Sequence, residues 1–287
     1  MLLTGAGGQV GSAVRRRAPA VATVVAMDSA ALDITDERAV RAAVAAARPQ
    51  VILNAAAYTA VDRAEAEPER AFSVNRDGPA NLAAAARACG ARIIHLSTDF
   101  VFDGARGRPY GPDDPCRPLN VYGASKRAGE EAVQTLAGDS ALVVRTSWVY
   151  AARGNNFVLT MLRLLREQPE VRVVADQIGS PTWATSIADA LWRAAPRTDL
   201  SGIHQWADAG VASWYDVAVA TQEEGIALGL LSRSVPIHAI TTRDMPRPAK
   251  RPSFGVLDTS LTTQALGLHP AHWRVNLRLM LGELHAA

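Results

Sequence analysis

Lysine is nearly absent from this chain. Of its 30 basic residues only two, Lys126 and Lys250, are lysines, and the others are arginines. Because 28 aspartates and glutamates almost balance them, the formal net charge is only +2. A balance this close predicts neither nucleic acid nor a charged membrane surface as a partner.

Cysteines and long apolar runs are also scarce. Two cysteines, Cys89 and Cys116, are too few for a disulfide framework or a zinc site and suit a reducing cytoplasm. No apolar run has the length of about 20 residues that spans a membrane. The chain opens almost directly into a glycine-rich turn, so we expect no signal peptide, although the short first strand suggests a true start further upstream. The sequence therefore predicts a cytoplasmic protein, with no metal site.

Apolar residues make up 48% of the 287 positions, enough for one large domain or two modest ones. Strand-like and helix-like segments alternate through the first half, which predicts an α/β fold with a doubly wound parallel sheet of the Rossmann type. We expect a dinucleotide-binding domain over residues 1–150, to which later segments return. Residues 151–287 are expected to form mainly a smaller C-terminal substrate-binding lobe.

A glycine-rich turn follows the first apolar run. Gly5, Gly8 and Gly11 are spaced three residues apart, after an apolar strand and before a segment that can continue as a helix. This context is typical of a dinucleotide site, in which glycines let the backbone approach a pyrophosphate at a helix N-terminus. A glycine-rich turn without a ligand is the alternative.

The second strand, over residues 21–27, ends at Asp28. An acid about 20 residues after the glycines can accept hydrogen bonds from the adenosine ribose hydroxyls. The alternative for Asp28 is a plain turn residue. The next helix is expected to begin at Asp33 or Thr35 and to end before Pro49.

Polar residues end the next two predicted strands. Asn54 and three alanines follow one apolar run, and Thr98 and Asp99 follow another. Since ligands bind outside the carboxyl ends of the strands in open α/β sheets, we expect these residues to face one crevice. A further strand is expected over residues 141–149.

Lys126 follows Tyr122 by four residues, so the two side chains share one face of a predicted helix. A nearby cation favours the phenolate, which makes Tyr122 a candidate proton donor or acceptor. An exposed tyrosine–lysine pair is the alternative, and the other motifs make it less favoured.

Together the glycine turn, Asn54, Thr98 and the Tyr122/Lys126 pair resemble the extended short-chain dehydrogenase/reductases. Within them the chain is most similar to the dTDP-4-dehydrorhamnose reductase family. The similar segments are 8–11, 54–62, 97–104, 120–123, 145–150, 154–157 and 176–182.

The resemblance implies reduction of the 4-keto group of dTDP-4-dehydro-6-deoxy-L-mannose (dTDP-4-dehydrorhamnose) to dTDP-L-rhamnose. It implies that Tyr122 protonates the developing alkoxide and that Thr98 hydrogen-bonds the keto oxygen. Lys126 is expected to lower the pKa of Tyr122 and to hold ribose hydroxyls. Asp99 and Trp148 are expected to contact the substrate, although Trp148 by itself would suit a core position.

The resemblance also implies a cofactor, NADPH or NADH. Asp28 disfavours a 2′-phosphate, whereas the basic run over residues 15–17 could attract one, so the sequence leaves the choice open. The expected cofactor-binding residues are Gly5, Gly8, Gln9, Val10, Gly11, Asp28, Asp33, Ile34, Ala57, Tyr58, Thr59, Tyr122 and Lys126.

Two departures from the family pattern stand out. Phe100 occupies a position that is usually tyrosine, so we expect a packing role for its ring. The first helix lacks the acids with which some members dimerise around magnesium, which puts that metal in doubt and leaves monomer or homodimer open.

Other functions remain possible. A 4-ketoreductase for another dTDP-deoxysugar, a sugar-nucleotide 4-epimerase and a non-catalytic regulatory subunit of the methionine adenosyltransferase type are the alternatives. A 4,6-dehydratase is disfavoured, because Phe100 cannot take part in the removal of water as an acid would.

Overall fold

The protein's structure, a computed structural model, describes residues 1–285. Its strands are β1 Leu2–Thr4, β2 Val25–Met27, β3 Val51–Asn54, β4 Arg92–Thr98, β5 Ala141–Thr146, β6 Val149–Tyr150, β7 Val171–Val174, β8 Ile178–Gly179, β9 Thr182–Trp183, β10 Gly202–Gln205, β11 Ala212–Ser213 and β12 Ile237–Ile240. Its α-helices are α1 Gln9–Arg16, α2 Glu37–Ala47, α3 Val61–Ala64, α4 Pro68–Phe72, α5 Gly78–Cys89, α6 Val121–Ala137, α7 Phe157–Glu167, α8 Ala184–Ala194, α9 Trp214–Ala227, α10 Ser260–Leu266 and α11 Trp273–His285. None of the helices within residues 1–285 is both long and apolar enough to cross a bilayer.

Six parallel strands form the central sheet, in the order β2-β1-β3-β4-β5-β10. The chain leaves β1 toward β2 on one side and later returns to β3 on the other. The carboxyl ends of β1 and β3 therefore flank the switch point at which doubly wound sheets bind ligands. The predicted α/β fold with a parallel sheet is confirmed.

Helices cover both faces of the sheet, as the near-continuous apolar strands require. Leu3, Leu53 and Ile94 pack with α1 and α8 on one face. The alternate residues Leu2, Ile52 and Ile93 pack with α2, α5 and α6 on the other. Two segments from beyond residue 150, α8 and β10, thus belong to this sandwich.

A smaller lobe follows β5. Its core joins α7, α9 and α11 to the parallel pair β7 and β12. Leu162, Leu165, Leu277 and Met280 are among its buried residues. This lobe stands beside the carboxyl ends of β4 and β5, where it contributes side chains to the site described below.

Two local predictions are wrong, and two strands were missed. Helix α2 begins after Asp36, whose carboxylate accepts from the backbone of Arg38 and Ala39, because Asp33 closes an earlier turn onto Thr35. The strand expected over 141–149 is broken at Trp148, which adopts a left-handed backbone with φ of 46°. Strands β10 and β12 were not expected, since their short runs carry no clear alternation.

Candidate active site

A groove with a volume of about 930 Å³ lies at the carboxyl ends of β1, β2 and β3. Glycines, small residues and charged side chains line it. We call this set the groove: Gly5, Gly7, Gly8, Asp28, Ser29, Ala30, Leu32, Asp33, Ile34, Thr35, Ala55, Ala56, Ala57, Glu69, Arg70, Ser73 and Val74.

The glycine turn packs its backbone tightly against β3 and α1. Gly5 has φ of 71°, and a Cβ there would lie 2.4 Å from the Ala56 nitrogen. A Cβ on Gly11 would lie 2.2 Å from the Gly5 carbonyl oxygen. A side chain at Gly5 would push the turn away from the end of β3, and a side chain at Gly11 would push α1 away from the turn.

The N-terminus of α1 opens onto this groove at Gly8, and no side chain within residues 1–285 caps it. The first backbone N–H groups of a helix and its dipole favour a negative charge. The groove thus has the size, the small walls and the donors that a dinucleotide pyrophosphate requires.

Two acids on the groove wall also hold turns. One oxygen of Asp28 accepts from the backbone of Ala30 and Ala31, both at 3.0 Å. Asp33 accepts from the Thr35 nitrogen at 2.9 Å and from its hydroxyl at 2.8 Å. Asp28 is therefore both a turn residue and a groove residue.

Of the other expected cofactor residues, Ile34 and Ala57 line the groove. Val10 packs toward the core beneath α1. Gln9 reaches the smaller lobe, where its Oε1 accepts from Asn156 Nδ2 at 2.9 Å. Thr59 is exposed.

Tyr58 connects the groove to α6 through Asn75, a residue that the sequence analysis missed. The Asn75 amide accepts from the Tyr58 nitrogen at 2.8 Å and donates to the Tyr58 carbonyl at 3.0 Å. It also donates to the Ser125 hydroxyl at 3.0 Å. Asn75 lies in a π-helical segment, Ser73–Asp77, between α4 and α5. A π-helical turn often marks a functional position, and no simple periodicity in the sequence reveals it.

Thr98, Asp99, Tyr122 and Lys126 meet where β4 ends against the start of α6, and we call them the catalytic corner. The close approach depends on Gly123, because a Cβ there would lie 2.2 Å from the Phe100 carbonyl oxygen. Asn120 caps α6 by accepting from the Gly123 nitrogen at 2.8 Å. The Phe100 ring packs edge-on against Tyr122 with ring centres 5.5 Å apart, which confirms its packing role.

Burial raises the pKa of Tyr122 to about 12, and the negative charge of Asp99 adds to the rise. The nearby Thr98 hydroxyl lowers this pKa and so acts in the opposite direction. The lowered pKa expected for Tyr122 is therefore wrong. The phenol is protonated at neutral pH, which is the state a proton donor requires.

Lys126 is 2% exposed, and its ammonium donates to the Leu96 carbonyl oxygen at 2.6 Å. Its Nζ also lies 3.4 Å from Nε2 of His95. Burial lowers the pKa of Lys126 to about 8, against an opposing effect of Glu130. The structure thus directs Lys126 toward β4 and not toward the phenol.

Asp99 is buried beside the Thr98 hydroxyl, which donates to it at 3.1 Å. Burial raises the pKa of Asp99 to about 7, against the lowering effect of that hydrogen bond. The carboxyl group can therefore exchange a proton near neutral pH, which lets it donate or accept toward a bound hydroxyl.

Trp148 and the smaller lobe close the other side of the corner. The Trp148 indole stacks on Trp214, with ring centres 3.5 Å apart and planes within 4°. We call the cavity beside them the aromatic pocket, and it is lined by Asp99, Phe100, Trp148, Gln177, Trp214, Arg251, Pro252 and Gly255.

The aromatic pocket contains polar groups that are already oriented. Gln177 accepts from the Trp214 indole nitrogen at 3.2 Å, and Arg251 forms two hydrogen bonds of 2.9 Å with Asp62. Sequence reasoning did not assign Trp214 to the site, because a tryptophan at the start of a helix is equally typical of a core.

The described residues, 1–285, hold no group of three or more His, Cys, Asp or Glu side chains that could bind a metal ion.

Comparison with known proteins identifies a family that the chain matches over nearly its whole length. The family model described as the RmlD substrate binding domain matches residues 1–286. A dTDP-4-dehydrorhamnose reductase of Aggregatibacter actinomycetemcomitans is 42% identical over 285 residues, which cover 97% of each chain. A dTDP-4-dehydrorhamnose reductase of Streptomyces griseus is 45% identical, and the match covers 96% of this chain and 91% of that protein.

Among solved structures, the dTDP-4-dehydrorhamnose reductase of Bacillus anthracis in complex with NADP superposes with a TM-score of 0.93. It is 34% identical and covers 98% of both chains. The likeness extends over the whole chain and therefore includes both the groove and the smaller lobe.

Proposed function

This chain belongs to the RmlD substrate binding domain family, and on that basis we propose that it reduces dTDP-4-dehydrorhamnose to dTDP-L-rhamnose with NADPH or NADH. One observation supports the reaction above all. The Tyr122 phenol, which burial keeps protonated, lies close to Thr98 where β4 ends against α6, beside the aromatic pocket.

The groove supports the cofactor part of the proposal. Backbone donors at Gly8 suit the pyrophosphate, and the exposed carboxylate of Asp28 suits the ribose hydroxyls. A bound reduced nicotinamide supplies the hydride for C4 of the sugar. Both relatives named above and the solved structure are dTDP-4-dehydrorhamnose reductases, and the solved structure contains NADP.

At the catalytic corner, Tyr122 offers one donor to a carbonyl oxygen, and the Thr98 hydroxyl becomes the second donor when it turns from Asp99 to that oxygen. These donors strengthen as negative charge develops on that oxygen, so they stabilise the transition state more than the ground state. The Tyr122 phenol then gives up its proton to the alkoxide. Lys126 supplies a cation that begins to lose its proton close to neutral pH, because burial lowers its pKa to about 8.

The aromatic pocket supports a sugar substrate. The Trp148 and Trp214 indoles give a flat apolar wall, and Asp99, Gln177 and Arg251 give polar groups for hydroxyls or phosphates. The left-handed backbone at Trp148 is a strained conformation of the kind that persists at binding sites.

We further propose that residues 1–150, with α8 and β10, bind the cofactor and that the smaller lobe binds the sugar nucleotide. Each part supplies one wall of the site. The catalytic corner belongs to the first part, whereas Gln177, Trp214 and Arg251 come from later segments.

The test is a steady-state assay of the purified protein with dTDP-4-dehydrorhamnose and NADPH. The expected result is oxidation of NADPH in step with formation of dTDP-L-rhamnose, and its loss in Tyr122→Phe. A 4-epimerase would interconvert sugar nucleotides with no net consumption of NADPH. A regulatory subunit would show no turnover in either protein, and that outcome would reject the proposed function.

A further inference from the structure

A row of buried polar side chains crosses the sheet toward the catalytic corner. Thr4, Asn54 and His95 are register partners on β1, β3 and β4, so their side chains lie on the same face of the sheet. All three are buried, with exposures of 1% or less. Lys126 reaches the end of the row from α6.

The orientation of the Asn54 amide is fixed by a backbone donor. Its oxygen accepts from the Ala56 nitrogen at 3.0 Å and from the Thr4 hydroxyl at 2.7 Å. A backbone N–H can only donate, so the atom facing it has to be the amide oxygen. The amide nitrogen of Asn54 consequently points at Nδ1 of His95, 3.0 Å away.

That contact determines the tautomer of His95. Nδ1 accepts from the Asn54 amide, so it carries no proton. Burial and the charge of Lys126 hold the pKa of His95 well below its ordinary value, so the ring is neutral. A neutral imidazole carries one proton, which then has to reside on Nε2.

Nε2–H faces α6, and Lys126 Nζ, 3.4 Å away, is the one hydrogen-bond partner for it within residues 1–285. An ammonium has three donors and no acceptor, whereas a neutral amine has one lone pair. The Nε2–H of His95 therefore disfavours the ammonium form of Lys126, whereas it can donate a hydrogen bond to the neutral amine form. The Glu130 carboxylate favours the ammonium, but it is itself paired with Arg145 and Arg127.

We propose that His95 is a positioning residue for the site: the Thr4–Asn54–His95 row holds its Nε2–H toward Lys126, which favours the neutral amine and directs Nζ to the Leu96 carbonyl. The catalytic meaning of this arrangement rests on the proposed function. The arrangement itself does not, because it consists only of contacts between residues of the chain. It gives the chain a physical reason to keep a lysine here, since an arginine cannot become neutral.

Scarcity of lysine makes the proposal directly measurable. Protein labelled with ¹³C at lysine Cε gives two side-chain signals, from Lys126 and from the exposed Lys250. Lys126→Arg identifies the first, and Lys250 serves as an internal reference in every sample. The ligand-free protein is used, so failure of this experiment is distinct from failure of the activity assay.

The decisive variant is His95→Gln, which replaces the Nε2–H by an amide that can turn its oxygen to the ammonium. We expect the titration midpoint of Lys126 to rise by about one pH unit, a tenfold gain in proton affinity. If burial alone sets the midpoint, it stays unchanged and the proposal is overturned. His95→Asn, which keeps an acceptor for Asn54 but has no group near Nε2, is expected to shift the midpoint in the same direction.

Thr4→Val is the matched control. It removes one hydrogen bond from the row, yet the Ala56 nitrogen still fixes the Asn54 amide, so the midpoint should stay at its wild-type value. Imidazole ¹⁵N shifts give a second readout that needs no variant. They are expected to show His95 neutral with the proton on Nε2, and a proton on Nδ1 would overturn the proposal.

Discussion

The groove and the catalytic corner lie at the same edge of one sheet but hold their polar groups differently. In the groove the carboxylates of Asp28 and Asp33 are exposed and rest on hydrogen bonds within their own turns. At the corner Asp99 and Lys126 are buried among residues from distant parts of the chain. A site that binds can be built from local turns, whereas a site that moves protons needs burial.

The consequence of this difference appears in the pKa values. Burial brings Asp99 and Lys126 toward each other on the pH scale, to about 7 and about 8, although their ordinary values lie far apart. Both groups therefore change charge near neutral pH. Mutations at the corner should change rates and pH profiles, whereas mutations in the groove should change affinity.

The largest effect is expected for Tyr122→Phe. The ring and its packing against Phe100 remain, and only the phenolic proton is lost. Loss of general-acid catalysis lowers kcat by on the order of a hundredfold or more, while the dissociation constant of NADPH stays close to wild type. Single-turnover rates and a fluorescence titration of NADPH measure the two. A variant with unimpaired kcat would remove Tyr122 from the chemistry.

Thr98→Val should come next. The change is nearly isosteric and removes one donor to the carbonyl oxygen, so kcat should fall by roughly a hundredfold and KM should change little. Thr146→Val is the control, because Thr146 is the register partner of Thr98 on β5 and its hydroxyl has no hydrogen-bond partner in the described structure. A rise in KM without a fall in kcat would mean that Thr98 only binds substrate.

Asp99→Asn tests burial through stability. The pKa of Asp99 is raised in the folded state, so its contribution to stability is complete below the ordinary value of 3.8 and is lost as the pH rises through about 7. The asparagine variant lacks this loss. The Tm of the variant minus that of the wild type should therefore increase by several degrees between pH 5 and pH 8. This corresponds to a change on the order of 2 kcal/mol in the difference between their free energies of unfolding. A pH-independent difference would contradict a buried, shifted carboxyl group.

Lys126→Arg should lower kcat/KM by on the order of tenfold and flatten its pH profile near pH 8, because a guanidinium is larger and does not lose its proton. The control is Lys250→Arg, which changes the other lysine at an exposed position and should leave the profile unaltered. Superimposable profiles for wild type and Lys126→Arg would show that any buried cation serves.

The smallest effect is expected in the groove. Asp28→Ala should raise KM for NADH by a few-fold and KM for NADPH less, because a carboxylate binds two ribose hydroxyls but repels a 2′-phosphate. Asp28→Asn removes the negative charge but keeps an oxygen that accepts from the Ala30 and Ala31 nitrogens. This variant therefore distinguishes an effect of the charge from an effect of the turn. If both variants affect the two cofactors equally, Asp28 acts only through its turn.

Elements with local signals were predictable. The spacing of Gly5, Gly8 and Gly11 indicates a turn between strand and helix, and the apolar run before Thr98 indicates a buried strand. Strands such as β10 and β12 were not predictable, because they are short and form only against β5 and β7. The cap at Asp36 was missed since three candidate residues lie within four positions.

Residue types also indicated which side chains carry chemistry, but not their charge states. The i, i+4 spacing put Tyr122 and Lys126 on one helix and suggested that the cation lowers the pKa of the phenol. In the folded chain the Lys126 side chain turns to Leu96 and His95, and burial of the phenol raises its pKa instead. Helical spacing describes neighbours along one element and carries no information on what packs against it.

The sequence by itself therefore determined the fold class, the glycine turn and the identities of Thr98, Tyr122 and Lys126, because short-range spacing and the chemistry of each residue type are written along the chain. Only the tertiary structure decided the tautomer of His95, the stacking of Trp148 on Trp214 and the pKa values of the corner. These depend on desolvation and on contacts between residues distant in sequence, and both arise only when the sheet, α6 and the smaller lobe have packed together.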